Sequence, residues 1–424
     1  MKLYNKIAAL FVCILMITAC SPDEGLSIDD HFLNYTIEDI PLTENCPVGV
    51  YYYNNGGGGL PAINYARLIE EPNPSTGKVG PWLKPVLENY IIDINSERSV
   101  EVVQQHVDWC IEKGGIDFLI FPGWQEDAQR LYPSNVNQSD TTFVNFVTGR
   151  TGTDGLPKTT TTQAVVNLKS LKYVLAVNLD RMNDNLTNSA LIEDAAIITK
   201  EGVEITRIER FNDFFKKVSD YFADPNYYRI NNKPIVMLQN AHRLYSKDSR
   251  ALYDNMRAYV KNYCGDDMFL IAQQEAWTPP ARFEYFFING KVDAITHQNM
   301  YNQGTYDRSY WYPQLIDQNW MYSKEFFLSN WGIDYIPTIA PAFNKYVADG
   351  ATDGTFRTPI VPRSEDTFKT LCNVAKKNLG NTRIVIIDSF NQWYYDTALE
   401  PTNPEYGNGY GTKYLEMVKE RFKK

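Results

Sequence analysis

Apolar β-branched and aromatic residues recur in short runs at 48–53, 118–123, 173–179, 234–239, 268–273, 294–299, 335–340 and 384–390. Each run is nearly continuously apolar rather than alternating, the pattern of a strand buried on both faces of a parallel sheet. The segments between them keep helical spacing. Val103, Val107, Cys110 and Ile111 share one helix face, and Phe368, Leu371, Cys372, Ala375 and Leu379 share another. Ser364, ahead of Glu365 and Asp366, predicts an N-cap, while Tyr414, Val418 and Phe422 mark a last helix. Eight strands alternating with helices predict an α/β protein with a (β/α)8 TIM barrel and long loops at the C-terminal face of the strands. No repeat or linker divides it. The expected layout is a leader over 1–19, a tether and lead-in over 20–45, and one barrel domain over 46–424.

A barrel locates its site where strands end and the following loops begin. At those ends stand Tyr52 and Tyr53, then Trp124 and Glu126, then Asn178 and Asp180. Later ends carry Gln239 with Asn240, Gln274 with Glu275, His297 with Gln298, and Asn344. The eighth run contributes Asp388, Asn391 and Gln392, with Asp388 pointing into or across the barrel according to register. Amides, aromatics and a few acids are what a hydroxyl-rich ligand needs, because amides donate and accept in fixed geometry. The alternative for each residue is to cap its strand and bind loop backbone. The polar stretch 132–162 is expected to form a wall over the mouth.

Lys2 and Lys6 precede an apolar core over 7–17, too short to span a membrane as a mature helix. Ile17-Thr18-Ala19-Cys20 resembles a bacterial lipobox, with Cys20 as the lipidated residue. The following Ser21-Pro22-Asp23-Glu24 is similar to the acidic tag of surface lipoproteins in Bacteroidetes. The expected location is therefore the outer membrane, at the cell surface, held by the lipid anchor alone. Loss of the leader takes the formal net charge from −10 to −12, and no basic run supplies a nucleic-acid footprint. Many of the 29 Tyr, 21 Phe and 8 Trp must be core, and sugar-binding clefts also favour aromatic rings, which offer sugar faces an apolar platform. Pairing among Cys46, Cys110, Cys264 and Cys372 is open. The four histidines, His31, His106, His242 and His297, form no His-Glu-x-x-His pattern. No Gly-x-Ser-x-Gly elbow or dinucleotide fingerprint is present, so neither metal nor cofactor is expected.

From Ile387 to Pro401 the chain reads Ile-Asp-Ser-Phe-Asn-Gln-Trp-Tyr-Tyr-Asp-Thr-Ala-Leu-Glu-Pro. This resembles the segment ending the last barrel strand in glycoside hydrolase family 99, the endo-α-mannosidases and endo-α-mannanases: Ser-Phe-Asn-Glu-Trp-His-Glu-Gly-Thr-x-Ile-Glu. Ser389, Phe390, Asn391, Trp393, Thr397 and Glu400 keep that frame. The two glutamates the family uses for chemistry fall on Gln392 and Tyr395, and Asp396 takes the place of its glycine. Val48-Gly49-Val50-Tyr51-Tyr52-Tyr53 is similar to the family's first strand, whose tyrosine faces the sugar. The segment 337–344, with Arg357 and Arg363 after it, is similar to the seventh-strand segment and its trailing arginines. The resemblance implies a sugar-binding mouth that includes Trp393, Glu400 and Arg357, with a mannose-containing ligand.

Glycoside hydrolysis ordinarily needs one carboxylic acid to protonate the leaving oxygen and a second group as base or nucleophile. Gln392 can bind a hydroxyl but takes no proton, and a phenol such as Tyr395, of ordinary pKa about 10, is a poor general acid. The candidates for catalysis are then Glu275, Asp396, and Tyr395 as a nucleophile. The alternative for each acid is a loop contact or buried ion pair, as for Asp180 beside Arg181. Two functions remain open. One is an endo-acting hydrolase with relocated acids. The other is a non-catalytic binder of oligo- or polysaccharides, working beside outer-membrane glycan-uptake proteins.

Overall fold

The computed structural model describes residues 31–54, 83–88, 90, 92, 96–124, 140–149, 166–179, 182, 191–194, 196–198, 204–274, 288, 290–297, 311–343 and 361–424. The strands are β1 (Val48–Tyr51), β2 (Phe118–Trp124), β3 (Lys172–Asn178), β4 (Ala196–Ile198), β5 (Glu204–Thr206) and β6 (Arg229–Ile230). They continue with β7 (Lys233–Gln239), β8 (Phe269–Gln274), β9 (Ala294–His297), β10 (Asp334–Ile336), β11 (Thr338–Ile339) and β12 (Val385–Ile387). The helices are α1 (Glu97–Glu112), α2 (Asp140–Thr148), α3 (Arg207–Ser219), α4 (Ser249–Cys264), α5 (Tyr312–Lys324), α6 (Glu365–Lys377) and α7 (Lys413–Phe422).

The large sheet runs β10-β9-β8-β7-β3-β2-β1-β12-β11, with every neighbouring pair parallel. Strands β10 and β11 are two halves of one strand, parted by Pro337, which has no N–H to give the ladder. The first half pairs with β9 and the second with β12, so the sheet closes into an eight-stranded barrel. All eight expected strands are present. The additions are an antiparallel β4–β5 pair and a short β6 that folds back on β7. Within the stretch expected as a wall, 140–148 is the helix α2, Gly149 forms the turn after it, and the rest of that stretch lies outside the described residues.

Local chemistry sets the helix ends. Ser364 caps α6, its side chain accepting from the Thr367 N–H at 3.1 Å. Thr206 and Glu209 form a reciprocal capping box on α3. Asp248 caps α4, which stops at Gly265 with φ +84°. Among the described residues no helix is long and apolar enough to cross a membrane, and all four cysteines there are free thiols. The lead-in is docked from Leu33 onward. Tyr35 donates to Asp317 on α5 at 2.8 Å, and the Ile40 N–H to Asn373 on α6 at 3.3 Å.

Two apolar layers share the strands. Val50, Leu119, Leu175 and Val236 pack outward against helix residues such as Val103, Phe211 and Met256. Phe118, Val174, Met237, Ile271 and Ile386 fill the lumen instead. Each such side chain contributes about 1.5–3 kcal/mol of burial, and their alternation decides which strand-end residue faces the mouth. Gly49 belongs to the lumen side, where a Cβ would stand 2.3 Å from the Phe118 ring. That ring is pinned by stacking on Tyr228 at 4.3 Å between centroids. Gly49→Ala is therefore expected to overpack the barrel floor and cost about 1–3 kcal/mol, read as a lower urea midpoint at unchanged slope.

Candidate functional site

Alternation divides the strand ends into two sets. Val174 and Ala176 face the lumen, as do Ile235 and Met237, so Asn178 and Gln239 do as well. By the same count Ile271 leads to Gln273, Ala294 to Thr296, Ile336 to Thr338, and Ile384 and Ile386 to Asp388. Strand β1 adds Tyr51 and Tyr53. The other parity goes to the helices, and it takes three expected sugar contacts with it.

Tyr52 lies in the outer layer, where its hydroxyl meets His106 Nδ1 at 2.9 Å and its ring stacks on Phe143 and Phe390. His297 turns outward to the Tyr335 hydroxyl at 2.7 Å. Gln274 is fully buried on that same outward parity. These three are corrected from mouth residues to residues of the helix layer. Their lumen-facing neighbours Tyr51, Tyr53, Gln273, Thr296 and Asp388 take over the lining. Tyr51, Gln273, Thr296 and Thr338 were missed because a run apolar on both faces hides its own parity.

The lumen has a buried tier and a half-buried rim. In the lower tier, Gln273 Nε2 donates to the Tyr51 hydroxyl at 3.3 Å, and the Thr296 and Thr338 hydroxyls meet at 2.7 Å. Asp388, 4% exposed, sits beside them and receives the Tyr53 hydroxyl at 3.5 Å, a long contact. Burial, and then the Asp388 charge, push both the Tyr51 and Tyr53 phenols well above their usual range. Both therefore stay protonated donors. In the rim, Asn178 Oδ1 accepts from Asn240 Nδ2 at 2.9 Å, and Gln239 Oε1 from the Gly123 N–H at 2.6 Å.

The eighth loop turns most of its family-like frame inward on itself. Asn391 accepts from the Tyr53 N–H at 2.8 Å and donates to the Tyr53 carbonyl at 3.0 Å, so its amide locks the last strand to the first. Trp393 Nε1 donates to Glu400 Oε2 at 2.9 Å, and the Tyr90 hydroxyl donates to the same oxygen at 2.7 Å. Glu400 Oε1 lies 3.3 Å from His106 Nε2, off hydrogen-bond geometry. Asn391, Trp393 and Glu400, expected to contact sugar, are thus corrected to a buried scaffold. Gln392 is half-buried, with its N–H donating to Ser389 Oγ at 2.8 Å. Tyr395 stacks on Phe343 at 5.6 Å and packs, partly buried, against the outer apolar layer.

Asp396, expected as a displaced acid, is held elsewhere. Arg363 Nε donates to its carboxylate at 2.9 Å, and Arg363 also bonds the Asp396 carbonyl at 2.6 Å. The guanidinium stacks over Tyr410 and Tyr414 at 4.8 and 5.1 Å, on the side of the outer layer. Burial raises the Asp396 carboxyl above its ordinary range, and the Arg363 charge offsets part of that. The group is a structural ion pair. Cys20, Glu126, Asp180, Glu275, Gln298, Asn344 and Arg357 lie outside the described residues, as does the side chain of Trp124. Among the described residues no group of His, Cys, Asp or Glu is arranged to hold a metal ion.

The profile of a family described as "Glycosyltransferase WbsX" matches residues 183–418, more than half of the chain. The chain belongs to the WbsX family. No curated protein matches it. A solved "Glycoside hydrolase-like protein" is 25% identical, with TM-score 0.68 over 93% of this chain and 99% of the other. The family 99 endo-α-mannosidase of Bacteroides thetaiotaomicron superposes with TM-score 0.52 at 14% identity, over 89% of this chain and 97% of that one. The fold of this WbsX-family chain is thus a family-99-like barrel.

The Arg363–Asp396 assignment has a direct test. Asp396→Asn leaves a buried guanidinium without its counter-charge and is expected to cost about 3–5 kcal/mol by chemical denaturation. A catalytic role would instead abolish turnover at nearly unchanged stability.

Proposed function

We propose that this protein captures a saccharide chain in the mouth of the barrel, as a glycan-binding protein that has given up hydrolysis. The observation that carries this reading is the composition of the lumen. Phenols, amides and hydroxyls ring it, and Asp388 is the one carboxylate among the described lumen-facing strand ends. Such groups donate to and accept from sugar hydroxyls in fixed directions, and the aromatic rings give the C–H faces a platform.

Hydrolysis asks for more. Retaining enzymes oppose two carboxyl groups at about 5–5.5 Å, and inverting enzymes at roughly 6.5–9.5 Å. The acids near the eighth loop are committed elsewhere, Asp396 to Arg363 and Glu400 to Trp393 and Tyr90. Gln392 and Tyr395 occupy the positions that correspond to the family 99 glutamates. The family description names glycosyl transfer and the neighbour's description names hydrolysis. Both kinds of chemistry require a saccharide held at such a mouth, which is the part of the reading proposed for this chain. The lipobox ending at Cys20 and the acidic residues after it support a surface lipoprotein serving polysaccharide uptake.

The soluble chain lacking the first 20 residues, mixed with α-mannans, α-glucans and host N-glycans, is expected to bind at least one of them saturably without releasing oligosaccharide. Released product that vanishes in Glu275→Gln would replace capture by hydrolysis through a displaced acid. In cells, Cys20→Ser is expected to move the full-length protein from the membrane to the soluble fraction. Unchanged partitioning would remove the lipid anchor from the proposal.

A further inference from the structure

We infer that Gln239, at the end of β7, is a preset hydrogen-bond donor of the mouth and reads one accepting oxygen of the bound glycan. The inference rests on the saccharide reading above and deepens it. Gln239 follows Ile235 and Met237 on the lumen parity and stands half-buried at the rim. Its side chain reaches past β3, whose Asn178 is its register partner, to β2. There the ladder shifts register between Phe121 and Trp124, and Gly123 turns through φ +67°. Such a bulge takes a residue out of the ladder. The Gly123 N–H donates instead to Gln239 Oε1 at 2.6 Å.

That bond decides which way the amide points. A backbone N–H can only donate, so the carbonyl end of Gln239 must meet Gly123 and the NH2 end must turn away from it. Among the described residues no group accepts from Gln239 Nε2, and at the half-buried rim its protons stay open to the mouth. A donor already locked in place loses little further freedom when a ligand arrives, which is where preorganised sites gain affinity. Hydroxyl, ring and bridging oxygens of a sugar all accept from such a group. A deoxygenated carbon or the ammonium of an amino sugar at that place would leave its protons unmatched.

The test begins with calorimetry of α-mannan, α-glucan and host N-glycan oligosaccharides on wild type, Gln239→Glu and Gln239→Met. Gln239→Glu keeps an oxygen for the Gly123 N–H and sets a second oxygen where the donor stood, so polarity reverses while the lock remains. Its melting temperature should hold and its affinity should fall about tenfold or more. If Gln239 serves only to hold Gly123, that variant binds like wild type, and the inference is overturned with the saccharide site left standing. A monodeoxy series of the strongest binder gives a second reading should Gln239→Glu not fold. One deoxygenation should cost wild type about tenfold and cost Gln239→Met little more than it has already lost. Equal costs at every position in both proteins would overturn the inference. Wild type that binds none of the three glycans would overturn the capture reading and this inference together.

Discussion

Closure of the barrel between its first and last strands is the constraint on which the rest depends. Strand β12 pairs with β1 in the register Val48 to Val385, and the seam continues past both strands. The Phe390 N–H donates to the Tyr51 carbonyl at 2.8 Å, and Asn391 then spends its amide on the backbone of Tyr53. These bonds fix which residue of the eighth strand faces the lumen. A slip of one residue would aim Ile387 or Ser389 into the mouth and drive Asp388 among the helices. The cost of a carboxylate buried there without matched partners, several kcal/mol, holds the register against that slip. The position of the lumen carboxylate beside two phenols is therefore a consequence of how the barrel shuts.

The same logic accounts for the eighth loop. Trp393, Glu400, Tyr90, His106 and Tyr52 form one buried polar chain from the loop, through α1, to the first strand. Removing Glu400 leaves the Trp393 and Tyr90 donors unmatched, and removing His106 leaves the Tyr52 hydroxyl without its partner. None of these bonds depends on whether the loop carries a catalytic acid. A frame of Ser, Phe, Asn, Trp, Thr and Glu around absent glutamates is then physically coherent, because the frame residues build the scaffold whatever stands at the substituted positions. Ser389 and Thr397 fit this account, because the Ser389 side chain accepts from the Gln392 N–H and meets the Thr397 hydroxyl at 3.1 Å.

The architecture was readable from the chain because hydrophobic runs and helical spacing report burial directly. All eight strand positions, the Ser364 cap and the last helix followed from it. What escaped was parity. In a parallel barrel both strand faces are apolar until the last residue or two, so nothing in a run such as Phe-Leu-Ile-Ala-Gln-Gln says which glutamine faces in. Tyr52, Gln274 and His297 were placed one residue out of phase for this reason. Pro337 shows the opposite case. A residue that usually argues against a central strand sits mid-strand, because the two halves pair with different neighbours and the break falls where the partner changes. The Arg363–Asp396 pair was illegible because it joins a segment before α6 to the eighth loop, a contact that no local spacing encodes.

What the mouth can do follows from how its groups hold their protons. General acid–base catalysis works best when a group's pKa lies near the working pH, so that it gives and takes a proton within one cycle. Burial and the Asp388 charge act in the opposite direction on Tyr51 and Tyr53, fixing the proton on each oxygen. Gln392 has an amide whose protons do not exchange roles at all. The arrangement thus separates fixed donors from a fixed acceptor. On the capture reading proposed above, these described groups orient hydroxyls and transfer protons poorly, which is the chemical difference between holding a glycan and cutting it.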